Sequence, residues 1–269
     1  RQEFEQDRAQ AVDVAARIDG PEVGFHPDGA RAYEIGYADG KPAGHWQHWY
    51  PDGTRQSEVT YVDGVRHLIA SPAVQRSPPR RFFFVSSTAV YAQDGGEWID
   101  ESSPAEAAHF RARLLLEGEA MVNAATAPET AAIVLRLSGI YGPERTRLLD
   151  LVRSGRATYP PGPPRYANRI HRDDAAGALA HLLRLPSPAP LYLGVDDAPV
   201  DLAEVLTFLA VELSAPLPRL EEEPNLPGVA SPERTSKRCS NALLHATGYP
   251  FRYPTYREGY GALLGTLRQ

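Results

Sequence analysis

The stretch that most constrains this chain is Arg81-Phe82-Phe83-Phe84-Val85-Ser86-Ser87-Thr88-Ala89-Val90-Tyr91-Ala92. Aromatic and β-branched residues run together and then break into three hydroxyls. Such a run reads as a buried central strand that delivers side chains at its C-terminal edge. In open parallel α/β sheets ligands sit at that edge, so hydroxyls there are placed for chemistry. A plain turn after the strand accounts for the hydroxyls too, because Ser and Thr favour turns.

The residues downstream weigh against the plain turn. About 45 residues on, Ile133-Val134-Leu135-Arg136-Leu137-Ser138-Gly139-Ile140-Tyr141-Gly142-Pro143 forms a second apolar run ending in a glycine turn. Asn168-Arg169-Ile170-His171-Arg172-Asp173-Asp174 then opens a helix. In that order and spacing the three motifs resemble the extended short-chain dehydrogenase/reductases, the NAD-dependent epimerase/dehydratase superfamily, and more closely their atypical bacterial branch. The resemblance runs from roughly Tyr61 to Leu267. It implies an α/β fold, a partial Rossmann-like parallel sheet with a small C-terminal lobe. Strands are expected at Arg81–Ser86, Ala131–Leu137 and Leu191–Val195, with helices between them because parallel strands need crossovers.

Composition narrows the partners. A net charge of -6 and scattered basic residues leave no electrostatic footprint for nucleic acid. The single cysteine, Cys239, excludes a disulfide framework and suits a reducing compartment. No apolar run approaches the roughly 18 residues a membrane span needs, and Arg1 opens no signal-peptide pattern, so a cytoplasmic protein without a membrane partner is expected.

Before the motifs lie two other segments. Residues 1–20 read as a polar helix stopped at Gly20-Pro21. Residues 21–59 carry an internal repeat: Phe25-His26-Pro27-Asp28-Gly29 recurs as Trp49-Tyr50-Pro51-Asp52-Gly53, and Tyr37-Ala38-Asp39-Gly40 as Tyr61-Val62-Asp63-Gly64, each at an offset of 24 residues. Pro-Asp-Gly and Asp-Gly are turn signals between strands. The pattern resembles the MORN-type hairpin repeat, including the variant of some bacterial antitoxin-like proteins. One full and one partial copy are fewer than usually hold such an array together. Trp46 and Trp49 are therefore expected to lean on the following domain or a partner chain, which makes a homo-oligomer or a protein partner plausible. From Val59 the apolar residues Val59, Val62, Val65, Leu68 and Ile69 take helical spacing, which puts the junction near residue 59 and the enzyme-like domain at 60–269.

The resemblance also assigns roles. In that family a strand-end Ser or Thr hydrogen-bonds the substrate oxygen, a Tyr exchanges its proton, and a Lys four residues later favours the phenolate. Ser87 falls on the Ser/Thr position. The helix around Leu114 to Glu117 puts His109 where the Tyr stands and Arg113 where the Lys stands. His109 can serve as an acid/base near neutral pH or be an ordinary exposed residue at a helix start. Arg113 supplies a fixed charge but does not copy the packing of a Lys. The assignment implied is Ser87 and His109 as catalytic, Ser86, Arg113 and Tyr141 toward NAD or NADP, and Thr88, Asn168 and His171 toward a small-molecule substrate. Ser87, Tyr141 and His171 are expected to line one pocket, with His171 and Asp174 ordering the loop over it.

A glycine-rich G-x-G-x-x-G run, which lets a backbone approach a pyrophosphate, does not occur in the chain, and this argues against tight dinucleotide binding. His26, His45, His48 and His67 are too loosely spaced for zinc, so no metal site is expected. Ser87, His171 and Asp173 hold the residue types of a hydrolase triad without the G-x-S-x-G elbow. Two functions stay open: an NAD(P)-dependent epimerase/dehydratase-like oxidoreductase acting on a nucleotide-sugar-like substrate, or a catalytically degenerate, antitoxin-like interaction module that binds no dinucleotide.

Overall fold

The structure, a computed structural model, describes residues 20–25, 29–38, 41–49, 55–60, 63–106, 110–125, 130–221 and 235–267. It divides into two units, Arg1–Pro78 with Ala120–Ala125, and Pro79–Glu119 with Thr126–Gln269.

In the first unit, strands β1 (Gly20–Phe25), β2 (Arg31–Ala38), β3 (Lys41–Trp49) and β4 (Arg55–Thr60) pair antiparallel in sequence order. Gly29 has φ 84°, a left-handed conformation that glycine adopts without steric strain. Asp63-Gly64, expected as a turn, instead opens helix α1, while the turn residues expected at 27–28, 39–40 and 51–53 and the helix expected over 1–18 lie outside the described residues, as do the side chains of Trp46 and Trp49. Val59 belongs to β4, where it pairs with Trp46, and not to the helix that its spacing suggested. Strand pairing overrides a five-residue apolar periodicity. Helix α1 starts later, at Asp63–Ala70, and a five-residue helix α2 (Pro72–Arg76) follows inside the proline-rich link. Ser71 caps α2 by accepting from Val74 N–H at 3.4 Å, with Pro72 at the first position, where its missing N–H is harmless.

In the second unit the chain runs through β5 (Arg81–Ser87), β6 (Trp98–Ile99), α3 (Phe110–Ala124), β7 (Ala131–Leu137), β8 (Gly139–Tyr141) and α4 (Arg147–Arg153). It continues through β9 (Thr158–Tyr159), β10 (Tyr166–Ala167), β11 (Arg169–His171), α5 (Arg172–Arg184), β12 (Leu191–Gly194), β13 (Val200–Asp201) and α6 (Leu202–Leu213). Strands β14 (Arg219–Leu220) and β15 (Arg238–Cys239) precede helices α7 (Ala242–Ala246) and α8 (Tyr256–Leu267).

The main sheet has the order β12-β7-β5 with every pair parallel, as the three motifs predict. Its middle strand is β7, whose Ile133, Val134, Leu135 and Leu137 are all buried, as expected of a parallel strand covered on both faces. The strand expected to be central, β5, is an edge strand instead. It pairs only with β7 among the described residues, and Val85 is 48% exposed. Apolar, aromatic composition records how a strand is covered; it does not count the neighbours that other parts of the chain supply. Helix α3 covers one face of β5, and Gly118 allows this, since a β-carbon there would lie 2.6 Å from the Phe84 ring.

Helix α5 shows both end rules. His171 caps its start by accepting from Asp173 N–H, and Asp173 and Asp174 fill the first turn. At its other end the Arg81 guanidinium donates to the carbonyl oxygens of Leu182, Leu183 and Leu185, a cation at the negative end of the helix. Helices α4, α6 and α8 pack a separate small core through Leu149, Val152, Val205, Leu209 and Leu263. Asp201 caps α6 by accepting from Ala203 N–H at 3.3 Å, and the helix ends at Ser214 in the left-handed region, φ 51°. Residues 238–239 place β15 beside β6, and helix α7 begins only at Ala242. Among the described residues no helix is long and apolar enough to cross a membrane.

Candidate active site at the carboxyl edge of the sheet

Ser87 is in register with Leu137, so the ends of β5 and β7 open at the same level. The chain leaves β5 in a tight 3-10 turn, Thr88–Val90, capped by Ser87 Oγ, which accepts from Ala89 N–H at 3.2 Å. That bond uses one lone pair and leaves the hydroxyl proton free to donate. Thr88 is buried, and burial pushes the pKa of the Cys239 thiol up to about 12. Cys239 is therefore a packed thiol and not a nucleophile.

Ser86 points the other way. Its hydroxyl donates to Glu119 Oε1 at 2.5 Å, and Glu119 also holds Arg136 through bonds of 3.0 and 2.6 Å. The Arg136 guanidinium lies 4.8 Å over the ring of fully buried Tyr91, whose hydroxyl donates to the Asp100 carbonyl. Ser86 is thus committed to a buried ion-pair network between β5, α3 and β7.

Tyr141 and His171 do come together, with ring centroids 5.3 Å apart and edge-on. Tyr141 also stacks on Tyr260 at 4.3 Å, and a β-carbon at Gly259 would collide with its hydroxyl. Burial holds its phenol well above the usual range, so Tyr141 stays a neutral packing residue. His171 packs on Tyr253 at 4.0 Å, and burial pushes its pKa down. A neutral imidazole whose Nδ1 accepts from Asp173 N–H carries its proton on Nε2. Asp174, fully buried, accepts from the Tyr249 hydroxyl at 3.0 Å and from the Arg252 and Tyr253 amides at 2.8 and 2.9 Å. This carboxylate ties the C-terminal segment to the start of α5.

Asn168 is a clamp. Its side-chain amide donates to the Lys237 carbonyl at 2.9 Å and its oxygen accepts from Cys239 N–H at 2.8 Å, which fixes β15. Arg113 is exposed on α3, and His109 lies outside the described residues.

Three residues at this edge escaped the sequence reading. Ser138, directly after β7, has a buried hydroxyl with no hydrogen-bond partner among the described residues. Lys237 is buried, and its ammonium donates to the Tyr91 carbonyl at 2.7 Å and to the Thr235 hydroxyl. Asp196, just past β12, is 2% exposed with one carboxylate oxygen unpaired among the described residues, and burial pushes its pKa up to about 7. The position of Ser138 at a strand end was a usable signal; nothing local announced the other two.

No protein-family profile matches the chain. It is 32% identical over 132 residues to Protein YeeZ of Escherichia coli, a match spanning 48% of this chain and 43% of that protein. The chain thus spans less than half the length of the curated relatives it matches. Among solved structures, a candidate NAD-dependent epimerase/dehydratase from Methylobacillus flagellatus is 36% identical with a TM-score of 0.64, covering 78% of this chain and 71% of that one. A conserved protein of unknown function from Silicibacter pomeroyi is 31% identical with a TM-score of 0.65, covering 76% and 72%. The human epimerase family protein SDR39U1, solved with NADPH, shares the fold at 21% identity, with a TM-score of 0.63 over 76% of this chain and 71% of that one. On the identity and coverage of the Methylobacillus match, this chain belongs to the NAD-dependent epimerase/dehydratase family.

Proposed function

We propose that the chain provides the substrate side of an NAD(P)-dependent oxidoreductase of the epimerase/dehydratase kind, acting on a polar alcohol or carbonyl borne by a nucleotide-sugar-like molecule. The observation that carries the reading is that β5 ends in a hydroxyl and β7 is followed by one at the same edge of the sheet. Ser87 retains a free donor proton, and the hydroxyl of half-buried Ser138 is itself buried without a partner among the described residues. An oxygen-rich ligand seated between the ends of β5 and β7 satisfies both. An unpaired buried hydroxyl otherwise costs about 1–3 kcal/mol.

In this reading Ser87 donates to the reacting oxygen and orients it, and His109 is the proton-exchanging group. His171 is excluded from that task, because it is buried, neutral and occupied at Nδ1. A nicotinamide, when bound, accepts or returns the hydride. The described residues fit that cofactor only in part. They contain no glycine-rich strand-turn-helix for a pyrophosphate, and two residues assigned to it, Ser86 and Tyr141, are engaged by Glu119 and Tyr260. The role assigned to this chain therefore stops at binding and orienting the reacting oxygen and exchanging its proton.

That same engagement of Ser86 and Tyr141 favours the second reading, a non-catalytic module in which the β1–β4 sheet, as a MORN-type segment, presents surface to a protein partner. Titration of the full chain with NADH and NADPH, followed by nicotinamide fluorescence, separates the two. Saturation below about 100 μM, within the range of working enzymes, supports the oxidoreductase. No response up to about 1 mM supports the module.

A further inference from the structure

Trp98 has no role in the site described so far, yet it is 58% exposed and rigidly built. The pairing of β6 with β15 explains its position. Trp98 is in register with Arg238 and Ile99 with Cys239; Ile99 and Cys239 are buried, so the other pair faces outward. The Arg238 guanidinium lies between two rings, 5.2 Å from the centre of Trp98 and 4.7 Å from that of Tyr166. Its Nε donates to the Gly96 carbonyl at 2.8 Å, which fixes the plane of the group. Gly96, at φ 79°, lets the Tyr166 ring come so near that a β-carbon would sit 2.9 Å from it. The neighbouring carboxylates are already engaged: Asp94 accepts from Ser236 N–H and Arg165, and Glu97 accepts from Gly95 N–H. The terminal amines of Arg238 carry no hydrogen bond among the described residues. With one face of Trp98 under Arg238, its exposure belongs to the opposite face.

An indole face and a fixed guanidinium side by side match a flat ring joined to an anion. Ring stacking and bidentate binding of phosphate are what these two groups do best. The location agrees, since Lys237, the residue before Arg238, donates at 2.7 Å to the carbonyl of Tyr91, which ends the Thr88–Val90 turn at the site edge. We propose that Trp98 and Arg238 seat the nucleotide end of the substrate, with the base stacked on the free face of Trp98 and a phosphate on the Arg238 amines. The proposal rests on the nucleotide-linked substrate inferred above and names the residues that would select it.

The test is calorimetric titration of the full chain with UMP and with ribose 5-phosphate, which has the phosphate without the base. A pyrimidine probe avoids the adenine that the cofactor itself carries. UMP should bind saturably and ribose 5-phosphate about fivefold to a hundredfold more weakly, the worth of one stacked base. Trp98→Ala should bring UMP down to the level of ribose 5-phosphate, Trp98→Phe should keep most of the difference, and Arg238→Gln should weaken both ligands alike. Since Trp98 is exposed, these variants should melt close to the parent; Trp98→Phe serves if the alanine variant does not fold. Equal binding of the two ligands, unchanged UMP binding in Trp98→Ala, or no UMP binding by about 10 mM overturns the proposal. NADPH titrated in parallel keeps the two readings apart. NADPH binding together with UMP binding indifferent to Trp98 removes the platform alone. UMP binding that depends on Trp98 without NADPH binding removes the cofactor reading alone.

Discussion

The two edges of the parallel sheet are finished in opposite ways. At β12 the chain closes its own edge: Glu101, from the loop after β6, accepts the Leu193 amide proton at 2.8 Å, and burial holds the Glu101 carboxyl above its usual range. At β5 no described strand pairs with the outer side, and Val85 is half exposed. The strand ends differ too. Beyond β12 the chain buries a carboxylate, Asp196, whereas β5 ends in Ser87, half-buried with a donor to spare. An amide closed by an internal partner and a buried strand end mark a structural edge, and a half-exposed hydroxyl with a donor to spare marks the edge that a ligand can reach.

The contrast can be broken first at the strand between the two edges. Leu135→Ala in fully buried β7 should destabilise the protein by about 2–5 kcal/mol in denaturant unfolding, the range for deleting a buried leucine. A loss under about 1 kcal/mol would mean that β7 is not the closed centre of the sheet.

A pH series sharpens the contrast between the strand ends. Asp196 rises from 3.8 to about 7 on burial, partly offset by Arg169 and reinforced by Asp197 and Glu258, so the folded state holds this proton more tightly than the unfolded chain. Its contribution is full below about pH 4 and is lost as pH rises to about 7, at about 1.4 kcal/mol per unit. Asp196→Asn keeps a neutral group there. The variant's unfolding free energy should therefore drop less than the parent's over that interval; parallel pH curves would contradict the burial argument.

Glu101→Ala should remove about 1–2 kcal/mol and speed hydrogen exchange at the Leu193 amide, which loses its acceptor. Exchange unchanged at Leu193 would show that something else closes the β12 edge. The smallest effect belongs to Val85→Thr at the open edge, expected within about 0.5 kcal/mol of the parent in the same unfolding measurement. A loss like that of Leu135→Ala would show that β5 is covered after all.

Much of this organisation was legible in the residues. The strands show in their apolar runs and turn residues, their parallel pairing in the family resemblance, and Asp201 marks the start of α6 because an aspartate before an apolar run satisfies the first free amides. The rank of β5 within the sheet was not legible, since Phe82 to Phe84 look alike in a central or an edge strand. In the site, Ser87 was found because a hydroxyl at a strand end is a local signal. Ser86 and Tyr141 were drawn to the cofactor by motif position alone. Their partners, Glu119 and Tyr260, are 33 and 119 residues away in sequence, and no local pattern encodes those contacts. Lys237 and Asp196 were missed for the same reason: their burial is made by segments that meet only in the folded chain.

The most direct test of a ligand site at the carboxyl edge is amide hydrogen exchange with and without a saturating nucleotide sugar. Slowed exchange should concentrate in Thr88–Tyr91 and Ser138–Tyr141, the segments that leave β5 and β7, and should weaken at the first of them in Ser87→Ala. No change in either segment, or protection confined to the β1–β4 sheet, would contradict a site at this edge.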